Sequence, residues 1–190
     1  MRKLFLLLLC PLLVGCAADD AAERADALLQ NAAAASGYAA LAEVRLDCGE
    51  TEERYTLSVK AEGEETRVRV LAPEALGGVT AVLSGEALSI EYEGLALDGA
   101  SLSPGVCAAN CVPLALSALR SGELCECGEE DGLLRLAFLT RDDLRAALYF
   151  DGDGMPVFAE LEENGRIAAQ MEFTSFTFGV IIGDREQPEG

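Results

Sequence analysis

The chain has 190 residues, 33 acids against 14 bases, a net charge of -19, and neither histidine nor tryptophan. Without histidine no Ser-His-Asp or Cys-His pair can form, nor any imidazole-based zinc or iron site. The acidic balance leaves no polybasic surface for nucleic acid or anionic headgroups, and no glycine-rich phosphate loop is present. The sequence therefore reads as a non-enzyme with no metal and no cofactor.

The chain opens with Arg2 and Lys3, followed by 11 apolar residues from Leu4 to Val14. A membrane-spanning helix needs about 20, so this run fits the apolar region of an export signal. Leu13-Val14-Gly15-Cys16 resembles a bacterial lipobox. That resemblance implies residues 1–15 as a cleaved lipoprotein signal peptide and a diacylglyceryl group on the Cys16 thiol. The mature chain, 16–190, would be 175 residues with a net charge of -21 once Arg2 and Lys3 are gone. It would be held by its acyl chains on the extracytoplasmic face of the cell membrane. The length suits one domain, over 16–182, with 183–190 a flexible polar tail.

Asp19 to Ala35 reads as a helix capped by Asp19 or Asp20, with Ala25, Leu28, Leu29 and Ala32 at helical spacing and Ser36-Gly37 as its stop. From Tyr38 the period becomes 2. Val44, Leu46 and Cys48 alternate with charged residues, and Tyr55-Leu57-Val59, Val68-Val70 and Leu88-Ile90-Tyr92 alternate with charged or polar ones. Short half-polar segments parted by turn residues predict an antiparallel meander of four or five strands. The alternation breaks between Leu95 and Gly122, where Val112, Leu116 and Leu119 predict a short helix over 108–119 with Pro113 in its first turn. About five more strands follow, at 123–127, 133–140, 144–150, 157–162 and 167–178. The fold class is α+β: an N-terminal helix plus a curved antiparallel sheet with a helical insertion.

Four cysteines, Cys107, Cys111, Cys125 and Cys127, fall within 21 residues. Each pair has a spacing that puts both thiols on one face. In an exported segment without CxxC spacing the expectation is one or two disulfides rather than a metal site, with three pairings open. Pairing between the groups would staple the insertion to the following strand. Cys48 makes the count of non-lipidated thiols five, so at least one lacks an intrachain partner. Asp151-Gly152-Asp153-Gly154 has the look of a calcium loop, but Met155 and Pro156 occupy positions that such a loop reserves for a ligand and for glycine. It reads instead as a hairpin turn.

The order of lipobox, helix, Tyr38-Ala39-Ala40 entering the first strand, meander and helical insertion resembles the LolA/LolB-type lipoprotein-carrier superfamily, and within it lipobox-bearing Gram-positive relatives such as germination lipoproteins. Val70-Leu71-Ala72-Pro73-Glu74-Ala75-Leu76-Gly77-Gly78-Val79 and Phe150-Asp151-Gly152-Asp153-Gly154-Met155-Pro156-Val157 carry that resemblance best. It implies a half-open barrel with helices across its mouth and an apolar groove able to take acyl chains. Leu57, Val59, Val68, Val70, Leu88, Ile90, Leu134, Leu136, Phe138, Leu148 and Phe173 would be the groove lining. The expected function is a membrane-anchored protein binding lipid or a lipidated ligand in that groove. The alternatives are a protein-interaction module that regulates a cell-envelope or spore-cortex enzyme, and thiol redox work at the four clustered cysteines. A filled core with an exposed apolar patch favours the interaction module.

Overall fold

A computed structural model describes residues 15–85, 87–100, 105–140 and 144–179. The leader before Gly15 and the polar tail lie outside the described residues. Helix α1 spans Gly15–Ala34 and helix α2 spans Cys111–Ser121. Strands β1 (Gly37–Asp47), β2 (Glu52–Glu62), β3 (Glu65–Ala72), β4 (Thr80–Ser84), β5 (Ala87–Tyr92) and β6 (Leu95–Ala100) precede α2. Strands β7 (Glu123–Glu130), β8 (Leu133–Leu139), β9 (Arg145–Phe150), β10 (Pro156–Glu163) and β11 (Arg166–Phe178) follow it. This is the element order that the LolA/LolB resemblance implies.

All eleven strands form one antiparallel sheet, in the order β6-β5-β4-β3-β2-β1-β11-β10-β9-β8-β7. Each meander is local in sequence. The seam between them is β1 against β11, from Tyr38 opposite Phe178 to Leu46 opposite Ala169. The sheet is not closed, so β6 and β7 are its two edges.

Two expectations are corrected. Helix α1 starts at Gly15, so Asp19 and Asp20 lie inside it rather than at its cap; Ala17 and Ala18 favour extending the helix toward Cys16. Leu95–Ala100 is a strand rather than the start of the insertion. Glu93 and Gly94, both at positive φ (48° and 80°), make the two-residue turn that leads into it. Glu-Gly is a weaker turn signal than Asn-Gly, and Gly99, at φ 79° beside a register shift, interrupts the alternation.

Ala21, Ala25, Leu28 and Ala32 form the buried stripe of α1. Their small side chains let the helix lie close over β7 and β8, while α2 lies over β8, β9 and β10 and beside α1. The Arg120 guanidinium donates to the carbonyls of Ala32 and Ala35, 3.2 and 2.8 Å away, fastening the last turn of α1 to α2. The terminal carbonyls of a helix need such donors. Gly37 then enters β1 so close to the neighbouring strand that a Cβ there would stand 2.1 Å from the Ala61 carbonyl oxygen. Gly122, which ends α2, is equally confined: a Cβ would meet the Ala118 carbonyl at 2.7 Å and Phe138 at 2.9 Å.

Candidate functional site

The eleven residues expected to line a groove share the inner face of the sheet, and register puts them side by side. Leu57 faces Val70, Val59 faces Val68, Leu134 faces Phe150 and Leu136 faces Leu148. They lie within the core rather than along an open channel. Leu57, Val59, Val68, Leu88, Leu134, Leu136, Phe138 and Leu148 are buried, and Val70, Ile90 and Phe173 are half-buried against the same cluster. The space above them is taken by Val112, Ala115, Leu116 and Leu119 of α2, the alanine stripe of α1, and Val106, Ala108 and Ala109 of the segment entering α2. Sequence pattern identifies the apolar face but not what lands on it. A slot of about 290 Å³ remains beside α2, bounded by Tyr38, Thr66, Leu83, Leu114 and Leu116.

The cysteines separate into different environments: Cys48, Cys107, Cys111, Cys125 and Cys127 are all free thiols, and the expected disulfides are not formed. Cys107 and Cys111 are one helical turn apart at the start of α2, joined by the Cys111 amide donating to the Cys107 carbonyl at 2.9 Å. Cys111 is buried, and burial pushes its thiol up to about 12. Cys127 points instead toward α1, its sulfur 3.6 Å from the Ala21 carbonyl. Partial burial, then Asp26, raises its pKa. Cys125 stays near its own strand at the Glu123 carbonyl. Desolvation, then Glu53 and Asp47, raises the pKa of Cys48. Raised pKa values disfavour the thiolate that exchange chemistry uses, so Cys48, Cys111 and Cys127 are poorly suited to redox work.

Asn110, which no sequence signal singles out, holds the entry to α2. This buried amide accepts from the Cys107 amide at 2.8 Å and donates to the Gly105 carbonyl at 2.9 Å. Asp151 serves its own turn, one carboxylate oxygen accepting from the amides of Asp153 and Met155. The tetrad is the hairpin turn between β9 and β10.

The two edges of the sheet differ in kind. β7 presents exposed Glu123, Glu126, Glu129 and Glu130. Glu129 pairs with Arg24 of α1 at 2.7 Å. Glu126 joins Arg135 and Arg145, and these guanidiniums hold its carboxyl below the usual glutamate range. Arg135 also lies over the Tyr149 ring, 5.9 Å from its centroid. At the other edge, one apolar row crosses five strands: Val59, Val68, Ala81, Ile90, Leu97. It begins buried and ends with Leu97 at 67% exposed. The next row pairs Tyr92 with Leu95, which are 44% and 75% exposed. In a fully polar-faced edge these positions would carry charge. Here the core pattern continues past its cover, and among the described residues nothing lies over Leu95 and Leu97.

No family model matches the sequence, and no curated protein matches it. Solved structures with a similar arrangement include an uncharacterised conserved protein from Thermus thermophilus, with 17% identity, a TM-score of 0.48, and 84% of this chain and 87% of that one covered. A LolA superfamily protein from Nitrosomonas europaea has 12% identity and a TM-score of 0.45, over 80% and 92% of the two chains. A chain in the Clostridioides difficile complex of the CwlD amidase with the GerS lipoprotein has 13% identity and a TM-score of 0.44, over 80% and 92%. At such identities no site residue transfers.

Proposed function

We propose that this chain is a membrane-tethered, extracytoplasmic protein-docking module, anchored through a diacylglyceryl group on Cys16 and engaging an envelope protein with the open β5–β6 edge of its sheet. The observation that carries the reading is the contrast between an inner face filled by two helices and the uncovered side chains of Tyr92, Leu95 and Leu97. Fully covering an exposed leucine contributes about 1.5–3 kcal/mol, so these partly exposed side chains supply part of the association energy of a partner, the rest coming from other contacts. The anchor rests on the lipobox resemblance at Leu13-Val14-Gly15-Cys16. Among the described residues no helix is long and apolar enough to cross a membrane.

The test is substitution of both leucines, Leu95→Lys with Leu97→Lys, in the full-length chain, followed by detergent extraction and quantitative co-purification. The variant is expected to keep its melting temperature and lose a stoichiometric protein partner. Undiminished recovery of every partner overturns the reading. Metabolic acyl labelling is expected to mark the wild type and not Cys16→Ser.

A second reading keeps the lipid-binding role. The slot beside α2, between Leu83, Leu114 and Leu116, favours it as a point where an acyl chain enters if α2 lifts. Uptake of a fluorescent fatty acid, blocked by Leu114→Asp, supports this; no uptake and no co-purified lipid removes it.

A further inference from the structure

Resting on the docking reading, we infer that the β6 edge takes an extended segment of another protein as an added antiparallel strand, and that this segment alternates apolar residues with Lys or Arg.

Strand addition follows from the edge itself. β6 pairs with β5 through Tyr92–Leu95, Glu91–Ala96 and Ile90–Leu97. Alternate N–H and C=O groups of β6 therefore point away from β5, toward the open side. A strand laid there would satisfy them and carry its apolar side chains onto the rows that end at Leu95 and Leu97. The bulge at Gly99 shifts the register between Leu88 and Ile90, so it limits the uninterrupted ladder to Leu95–Leu97 and marks one end of the docked segment.

Charge selects among occupants. Glu93 and Asp98 are exposed on this edge. A second copy of the mature chain would bring another net charge of -21 to the contact, and an anionic lipid surface is repelled for the same reason. A cationic segment is drawn to the same carboxylates and steered in by them. In strand addition the main-chain hydrogen bonds give the affinity, and the alternate side chains, apolar toward Leu95 and Leu97 and cationic toward the carboxylates, give the specificity.

The probe is a pair of capped seven-residue peptides, Lys-Val-Lys-Val-Lys-Val-Lys and its Glu-Val counterpart. Each is titrated into the full-length ¹⁵N-labelled chain in zwitterionic detergent micelles. The lysine peptide is expected to shift the amide signals of Leu95–Leu97 saturably and slow their hydrogen exchange. Its affinity should fall about tenfold or more in Leu97→Thr, a variant that keeps strand propensity, and should weaken with added salt. Equal binding by the Glu-Val peptide overturns the inference, as do shifts confined to other strands or a β6 edge already occupied by a dimer in sedimentation. If both peptides fail while Leu95→Lys with Leu97→Lys still releases the co-purified partner, strand addition is wrong and the docking reading stands. If that variant releases nothing, the docking reading itself has failed.

Discussion

Strands β6 and β7 terminate the same sheet and have been finished in opposite ways. β7 is lined by four glutamates, three of them (Glu126, Glu129 and Glu130) tied to arginines on α1, β8 and β9, and it lies under α1. β6 carries one acid and two leucines that continue the core pattern into solvent. Edges are normally blunted by charge or cover because a bare edge pairs with whatever strand it meets. One edge obeys that rule and the other breaks it within a single molecule, and the docking reading rests on that difference.

The comparison can be broken most forcefully in the core beside each edge. Leu136 faces Cys127 of β7 and is fully buried. Leu136→Ala should cost about 2–5 kcal/mol, whereas Leu97→Ala should stay within about 0.5 kcal/mol; urea melts of the two variants measure the difference. Gly37→Ala strikes the seam that serves both halves. Its Cβ meets backbone rather than a movable side chain, so the loss should reach the upper end of about 1–3 kcal/mol. Hydrogen exchange should show protection falling on both sides of β1.

Smaller effects separate the two sides. Arg120→Ala removes two donors from the end of α1 and should cost about 1–2 kcal/mol. The loss should be seen first as faster exchange in α1, with β5 and β6 unchanged. The smallest effect is acid fraying of β7. Arg135 and Arg145 depress the pKa of Glu126 in the folded chain below its ordinary 4.5. Its contribution is therefore complete above that value and is lost as pH falls through the lower folded pKa. Amide exchange followed from about pH 6 to about pH 3 should show β7 and β8 loosening before β5 and β6. Simultaneous loosening removes the asymmetry.

Much of this architecture is legible in the sequence because strands write their faces at every second residue. Leu57 and Val59, or Leu134 and Leu136, declare one shared face without any tertiary knowledge. Three things are not written locally. The strand after Tyr92 is hidden by an unusual turn pair and a bulge. The fate of the apolar face depends on where α2 comes to rest, so a predicted groove and a filled core have the same alternation. The roles of Asn110, Arg120 and Cys127 arise from loops and helices brought in from distant sequence, and no periodicity reports them. What the sequence did contain, without a pattern to flag it, was Leu95 and Leu97: two apolar residues where a soluble edge strand would carry lysine or glutamate.

The start of α1 at Gly15 has a mechanical consequence. Cys16 lies in the first turn of the helix rather than on a leash. An acyl group there would grip the end of a rod, whose heading is set by Ala21, Ala25, Leu28 and Ala32 and whose far end is bolted to α2 by Arg120. The domain would then keep one compass bearing over the membrane, and β6 would face its partners from a fixed quarter instead of sweeping in search of them.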